Sequence, residues 1–279
     1  DGIRDYKVTG VQTCALPISP PRGPRARLLV GLGRRLAVFA GFLALWAGLV
    51  ALARPEPYLL PGPDRVARAL VARAPEILAA TGVTTLEILL GLACGLVVGL
   101  ATAIAMALVP WTARLVQPAI VVIQTLPVFA IAPVLVLWFG FGLASKIVMA
   151  TLVIFFPVAA SLYDGLTRTD PGLLDLARLH RASRWQTFRH LRWPAARPAL
   201  VSGLRMAATV APIGAVIGEW VGASAGLGLL MMHANARMQT DVVFAALAVL
   251  AVVAVALRAA VERLTRDWAP WAPESAASH

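Results

Sequence analysis

The chain has 279 residues, of which 59% are hydrophobic, with 25 basic and 14 acidic residues and a formal net charge of +11. So few charged residues exclude a soluble domain of this size and indicate an integral membrane protein. Nucleic acid is not expected as a partner, because the arginines lie between apolar segments, as the positive-inside rule predicts. The two cysteines support neither a disulfide framework nor a metal site.

The N-terminal segment differs from the rest of the chain. Residues Val8–Ser19 match the in-frame translation of a common sequencing-adapter oligonucleotide. We therefore predict that residues 1–19 are not native sequence, and we infer no signal peptide from them. Residues 20–35 are basic and rich in proline and glycine, and we predict a cytoplasmic segment there.

Six apolar segments follow, separated by polar connections: Leu36–Leu52, Val83–Leu108, Leu115–Phe139, Ile147–Tyr163, Ala199–Glu219 and Val242–Ala260. They predict six transmembrane helices within residues 36–266, followed by a polar tail at residues 267–279. The third segment is interrupted by Pro118, Pro127 and Pro133, which is tolerated where a neighbouring helix or a cavity satisfies the backbone.

Two local patterns refine this outline. The Pro-Gly-Pro turn before Asp64 predicts a short helix with Val66, Ala69 and Leu70 on one face. In the second segment, glycines recur every fourth residue at Gly91, Gly95 and Gly99. This spacing fits either a groove for close helix packing or small residues that lipid merely tolerates, and the sequence does not choose between them.

The segment Thr169–Pro198 is a polar island between the fourth and fifth apolar segments. Thr169 or Asp170 is predicted to cap a first helix whose apolar face contains Leu173, Leu176, Ala177 and Leu179. Its other face carries Asp175, Arg178 and Arg181. Ser183 and Gln186 predict a capping box for a second helix, which Pro194 is expected to break.

This island resembles the cytoplasmic EAA loop of importer-type ABC transporter permeases. The residues that match its pattern are Asp175, Ala177, Ala182, Phe188, Pro194 and Pro198. The island departs from the family loop in three ways: the acid, Asp175, is Asp rather than Glu, Arg181 stands where the loop usually has glycine, and Trp193 replaces the usual leucine before the proline. Because arginine favours helix over glycine, we predict that the first helix runs through to Ala182.

The resemblance implies that the island couples the chain to cytoplasmic ABC ATPase subunits, through Asp175, Leu176, Ala177, Leu179, Arg181, Ala182, Phe188 and Pro194. It also implies an all-α permease with six transmembrane helices, acting as a homodimer in the bacterial inner membrane. A periplasmic or lipid-anchored binding protein would deliver the substrate. The segments Leu59–Leu70 and Gln124–Ile147 resemble the sulfonate, taurine and thiamine-precursor branch of these permeases. The segment Gly218–Gly228 resembles the family segment after the fifth span, which lies near the translocation path.

Polar residues inside apolar segments are the candidates for a substrate path, because their burial in lipid is costly. The candidates are Glu219, Arg205, Gln124 and Trp138, and Glu87 is a further intramembrane acid. Arg205 lies close enough to the predicted cytoplasmic end for its side chain to snorkel to the interface instead. Gln124 and Trp138 also fit simple packing or interface anchoring.

No catalytic machinery is predicted. His180 and His190 lack cysteine or carboxylate partners at metal-ligand spacing, and no Gly-rich loop ending in Gly-Lys-Ser/Thr is present. ATP hydrolysis is therefore expected in a separate subunit, with no cofactor in this chain. An ion-coupled secondary transporter or another multi-span membrane protein is the alternative, although the former would require mid-span acids.

Orientation follows from the arginines, which concentrate in the island and near both termini. This bias places the island and both termini in the cytoplasm. The substrate is predicted only as a small organic solute. Hydroxymethylpyrimidine, a thiamine precursor, is favoured because the segment Gly218–Leu247 resembles thiamine-precursor permeases more than sulfonate ones, and a sulfonate-like anion is the second choice.

Overall fold

The computed structural model describes residues 24–222 and 224–271, so the predictions for residues 1–19 and for most of the polar tail lie outside the described residues. Within these ranges all of the regular secondary structure is helical. The helices are α1 Pro24–Ala53, α2 Pro63–Ala72, α3 Ala74–Leu108, α4 Pro110–Thr125, α5 Val128–Phe139, α6 Leu143–Thr167, α7 Pro171–Leu179, α8 Arg184–Thr187, α9 Trp193–Gly222, α10 Leu227–Ala236 and α11 Thr240–Thr265, with a π turn at Phe188–Arg192 between α8 and α9.

The chain divides at Arg54–Pro55 into two compact units. The first contains α1, whose apolar part is Ala37–Ala53 and corresponds to the first predicted span. The second unit contains every other helix and all of the residues proposed for function. It is described below by itself.

Four helical stretches in the described chain are long and apolar enough to cross a membrane: Ala74–Leu108, Leu143–Thr167, Arg184–Gly222 and Thr240–Thr265. The third predicted span is instead a pair, α4 and α5, bent by 104°. Its break lies at Pro127, since Leu126 is extended, as a residue before proline usually is. Pro118 and Pro133 remain inside their helices.

The predicted short helix after the Pro-Gly-Pro turn is confirmed as α2. It starts with Pro63 in its first turn, and its buried residues are Val66 and Ala69, whereas Leu70 is exposed. The next helix, α3, begins at Ala74, well before the predicted Val83. Hydropathy located the apolar part of this helix but missed its polar first turns, which are also helical.

The glycines of α3 form a packing groove for α6. A Cβ atom on Gly91 would lie 2.4 Å from the Cβ of Ala150, and one on Gly95 would lie 2.6 Å from Ile154. At Gly99 the obstacle would be the backbone oxygen of Phe155, at 2.9 Å. Of the two interpretations of the glycine repeat, close helix packing is therefore correct.

Glycines also allow α6 and α9 to pack closely along most of their length. Gly165 of α6 lies against Ala196 and Ala199, and Gly203 of α9 lies against the backbone oxygen of Pro157. Residues from α3, α6 and α9 make up most of the main buried apolar cluster. These three helices form the packed core that positions the loops at both of its ends.

Candidate functional site

One end of the core carries the α7–α8 loop, residues 168–192. Asp170 caps α7 by accepting a hydrogen bond from the backbone N–H of Gly172 at 2.8 Å, with Pro171 in the first turn. Ser183 and Gln186 form the predicted capping box at the start of α8. Both predicted helix starts in the island are confirmed.

The prediction that the first helix continues to Ala182 is wrong. Helix α7 ends at Leu179, and Arg181 takes a left-handed conformation with φ 51°. The N–H of Ala182 donates to the oxygen of Ala177, and the N–H of Arg181 donates to that of Arg178, both at 2.9 Å. This pair of bonds is a Schellman motif, which requires the left-handed residue at the position of Arg181 and therefore favours glycine there.

The prediction that Pro194 ends the second helix is also wrong. The helical stretch runs unbroken from Arg184 to Gly222, with Pro194 at the second position of α9. The π turn just before it widens the backbone, and the N–H of Trp193 donates to the oxygen of Phe188, five residues back. A π turn changes which carbonyls face the proline ring, so the proline does not break the helix.

Apolar side chains of α7 are left uncovered. Leu173 and Leu176 are about half exposed and Leu179 is 81% exposed, while Ala177 is buried. Asp175 pairs with Arg178 at 2.7 Å on the solvent side. A groove of about 220 Å³ lies beside the leucines, bounded by residues of α7, α8 and the π turn. Phe188, in the π turn, is buried and stacks on Trp185, with the ring centroids 5.4 Å apart.

A cavity of about 620 Å³ opens between α5, α9, α10 and α11. Phe129 and Trp220 lie beside it, with their ring centroids 5.9 Å apart. Asn235 is polar, and none of the described residues of the wall is charged. The wall is completed by Pro212, Ile213, Val216, Ile217, Met231, Met232, Val243, Leu247 and Leu250.

Next to the cavity, a cluster of polar side chains is buried between α3, α6 and the turn from α9 to α10. Lys146 Nζ donates to Glu87 Oε1 at 2.6 Å, and the two residues are 4% and 1% exposed. Glu219 is fully buried, and its Oε1 lies 2.6 Å from the hydroxyl of Thr84. The backbone N–H of Leu227 donates to the same hydroxyl at 2.8 Å.

Sequence reasoning missed two members of this cluster. No role is assigned to Lys146 from the sequence, although it is the only lysine after Lys7 and directly precedes an apolar segment. Its isolation there was the available signal. Thr84 gave no signal, because threonine is common in membrane helices and only the fold brings it to Glu219.

The four substrate-path candidates do not come together. Glu219 lies in the buried cluster, adjacent in sequence to Trp220 of the cavity wall. Arg205 is half-buried on α9, and its Nε is buried without a hydrogen bond to any described residue. Gln124 and Trp138 are exposed on α4 and α5. In the part of the chain that the structure describes, no group of three metal-ligating side chains is found.

This arrangement of helices and loop has a clear parallel among known proteins. A family model described as "Binding-protein-dependent transport system inner membrane component" matches residues 95–269. The chain belongs to this family and is an integral inner-membrane permease subunit of an ABC importer.

Individual relatives fit the same class. The chain is 47% identical to a probable ABC transporter permease protein of Haemophilus influenzae, over 79% of this chain and 90% of that protein. It is 35% identical to the formylaminopyrimidine transport permease protein ThiX of Halalkalibacterium halodurans, over 70% and 78%. It is 31% identical to the taurine transport system permease protein TauC of Escherichia coli, over 77% and 80%.

Solved structures agree on the fold. A chain of the inward-facing MetNI methionine ABC transporter superimposes with a TM-score of 0.62 at 19% identity, covering 71% of this chain and 98% of that chain. A second crystal form gives a TM-score of 0.59. The expected all-α permease fold is therefore confirmed, with the third span present as a bent pair.

Proposed function

We propose that this permease carries a neutral pyrimidine precursor of thiamine, such as hydroxymethylpyrimidine or formylaminopyrimidine, into the cell. The observation that supports this choice is the 620 Å³ cavity, whose wall, among the residues that the structure describes, combines aromatic side chains with a polar amide and includes no charged residue. The similarity to a formylaminopyrimidine permease points to the same class of solute.

The chemistry of the cavity suits a flat heteroaromatic ring. Phe129 and Trp220 present aromatic faces on which a pyrimidine can stack. The side-chain amide of Asn235 both donates and accepts hydrogen bonds, as ring nitrogens and amino groups require. A second copy of the chain would enclose the path from the other side, as expected for a homodimer.

A sulfonate-like anion is the second candidate, because a taurine permease is among the relatives. An anion is normally recognised by arginine, lysine or converging N–H groups. Arg205 on α9 is a candidate for this role, but it does not belong to the described cavity wall. The apolar wall therefore favours the neutral ring.

Transport of each solute tests this choice. The chain, with the ATPase and binding protein that purify with it, would be reconstituted and supplied with labelled hydroxymethylpyrimidine, formylaminopyrimidine or taurine. We expect ATP-dependent uptake of a pyrimidine only. Trp220→Ala should reduce it about tenfold, since stacking of a base on an aromatic ring contributes roughly 1–3 kcal/mol. Trp111→Ala, an exposed tryptophan outside the cavity wall, is the matched control. Uptake of taurine alone would overturn the proposal.

The energy for uptake would come from cytoplasmic ATPase subunits docked on the α7–α8 loop. The exposed leucines of α7 supply apolar surface for this contact, and each buried leucine contributes about 1.5–3 kcal/mol before the costs of association are subtracted. Asp175, Ala182 and Pro194 would shape the loop rather than provide this surface. Closure of the ATPases on ATP would then move α9 through the continuous stretch from Arg184 to Gly222.

Arg181 would contribute specificity for the cognate ATPase. Its side chain is exposed at the end of α7, where a charge can meet an acidic residue of the partner. Arg181→Glu should then weaken co-purification with the cognate ATPase, whereas Arg181→Gly should weaken only the discrimination against a non-cognate one. Normal co-purification and uptake from Arg181→Glu would show that the charge has no role in docking.

The same model requires the loop and both termini to be cytoplasmic. A cysteine introduced by Arg184→Cys, with Cys14 and Cys94 replaced, should resist an impermeant thiol reagent in intact cells and react in inverted vesicles. Arg184 is exposed, so lack of access would not explain protection. Rapid labelling of intact cells would overturn the topology and the coupling model together.

A further inference from the structure

A cavity of about 470 Å³ lies at the loop end of the core, between the α3–α4 turn and the α7–α8 loop. Three arginines belong to its wall, Arg178, Arg184 and Arg192, and none of the described residues that line it is acidic. It differs in this respect from the cavity beside Trp220, whose described wall carries no charge. A recess lined by charges of one sign concentrates the potential and attracts an ion of the opposite sign.

Helical spacing brings the three arginines to one cavity. On α7, Arg178 lies one turn after Leu174, and both line the cavity. Arg184 begins α8, and Arg192 ends the π turn eight residues later, so about two turns of helix separate them on the same side. Thr187, which lies between these two arginines in the sequence, also belongs to the wall.

Two of the three arginines have no counter-ion in the described part of the chain. Arg178 pairs with Asp175 at 2.7 Å. Arg184 and Arg192 form no ion pair with any described residue, and the buried Nε of Arg192 has no hydrogen-bond partner there. A guanidinium group keeps its charge in proteins, and a buried donor without a partner costs stability. A bound anion would satisfy both requirements.

The opposite wall shows where the cavity lies relative to a membrane. Ala107 and Leu108 are the last residues of α3, which is long and apolar enough to cross a membrane, and Pro110 begins α4. The end of a membrane-crossing helix lies where the hydrocarbon meets the head groups. The cavity is therefore at the level of the lipid phosphates, and basic pockets between membrane helices are known to bind anionic head groups.

The arginine cavity and the groove beside the exposed leucines use different sides of α7. Leu174 and Arg178 line the cavity, whereas Leu173 and Leu176 line the groove. At 100° per residue, these two pairs are roughly 150° apart around the helix. Apolar contact through the leucines and anion binding by the arginines therefore do not compete for the same face.

We propose that this cavity is a phosphate-binding site and that its ligand is the head group of an anionic phospholipid. Guanidinium groups hold phosphate oxygens through pairs of parallel hydrogen bonds. Leu108 and Leu174 provide apolar wall beside which the acyl chains begin. The bound phosphate would join α7, α8 and the π turn to the end of α3 and so hold the loop at the membrane surface. This role does not depend on which solute is carried.

Titration of the full chain, purified in detergent, with short-chain phosphatidylglycerol tests the site, with native mass spectrometry to count bound lipid. Phosphatidylcholine, whose phosphate is neutralised by its own choline cation, should bind much more weakly. Arg184→Gln/Arg192→Gln should weaken binding of phosphatidylglycerol at least about tenfold, because hydrogen bonds to charged groups are lost. Arg189→Gln is the matched control, since Arg189 is exposed in the same π turn but outside the cavity wall. Equal affinities of the double variant and this control would overturn the site.

Inorganic phosphate separates a lipid ligand from a soluble one, because both carry the same chemical group. Added in excess, it should leave phosphatidylglycerol bound, since it lacks the acyl chains that contact the apolar wall. Displacement of the lipid by inorganic phosphate would show that the site takes a soluble phosphate and would overturn the lipid assignment.

A single variant keeps the test valid if the double variant does not fold. Arg184→Gln changes an exposed side chain, so it should melt like the unmodified protein in the absence of lipid, yet bind phosphatidylglycerol severalfold more weakly. Co-purification of the ATPase examines the other possible partner of these arginines. Loss of the ATPase from Arg184→Gln, with unchanged lipid binding, would assign the arginines to the protein partner and overturn the proposal.

Discussion

Charged and apolar side chains have opposite environments in the packed core of α3, α6 and α9 and in the α7–α8 loop. In the core, Glu87, Lys146 and Glu219 are buried, Lys146 pairs with Glu87, and Glu219 accepts hydrogen bonds from Thr84 and from the backbone N–H of Gly228. Glycines allow the helices to touch. In the loop, Asp175 and Arg178 pair in solvent while the leucines of α7 are uncovered. The core is complete within one chain, whereas the loop has apolar surface that is suited to a partner.

The largest effect on stability should come from breaking the buried ion pair. Lys146→Met leaves Glu87 without its cation and should lower the free energy of unfolding by about 3–5 kcal/mol, measured by denaturant titration in detergent. The double variant Glu87→Gln/Lys146→Met should recover part of this loss, because no unpaired charge remains. Glu76→Gln, in the exposed pair with Arg73, should cost less than about 1 kcal/mol. Equal losses of stability from the buried and the exposed ion pair would contradict the expected difference between buried and solvent-exposed charges.

Close helix packing should give the next largest effect. Gly91→Ala places a methyl group 2.4 Å from Ala150 and should cost about 1–3 kcal/mol as α3 and α6 separate. Gly82→Ala, in the same helix, meets no atom within 4 Å and should gain up to about 1 kcal/mol from helix propensity. Melting temperatures of the two variants should therefore move in opposite directions, and a shared direction would contradict the packing groove.

In the loop, a smaller effect of the opposite sign is expected. A left-handed conformation costs a non-glycine residue about 1–2 kcal/mol. Arg181→Gly removes this cost and should raise the stability of the loop by about 1 kcal/mol. Arg178→Gly, inside α7, should instead lose about 1 kcal/mol. Amide hydrogen exchange of α7 measures both. Slower exchange after Arg178→Gly, or faster exchange after Arg181→Gly, would contradict the Schellman geometry.

The smallest effect on the chain itself should come from the uncovered face of α7. Leu176→Asp should leave the melting temperature unchanged, because the side chain is half exposed, yet abolish co-purification of the ATPase. Ala177→Asp is the contrasting variant, since this residue is buried in the chain and its replacement should lower stability as well. An unchanged yield of ATPase with Leu176→Asp would place the docking surface elsewhere.

The sequence by itself determined the features that depend on short-range chemistry. Hydropathy identified the membrane helices, and the caps at Asp170 and Ser183 formed as predicted because a side chain two or three residues from its N–H partner needs no distant contact. The pattern of the polar island was enough to indicate the permease class, which the family match confirmed.

Only the tertiary structure decided features that depend on residues far apart in sequence or on competing local preferences. Helix propensity favoured an extended α7 at Arg181, but the Schellman bonds and the capping box that follows them outweighed it. Glu219 and Thr84 are 135 residues apart, and Lys146 and Glu87 are 59 apart. No local pattern brings such pairs together, because the glycine-lined contacts of α3 and α9 with α6 set the distances between their side chains.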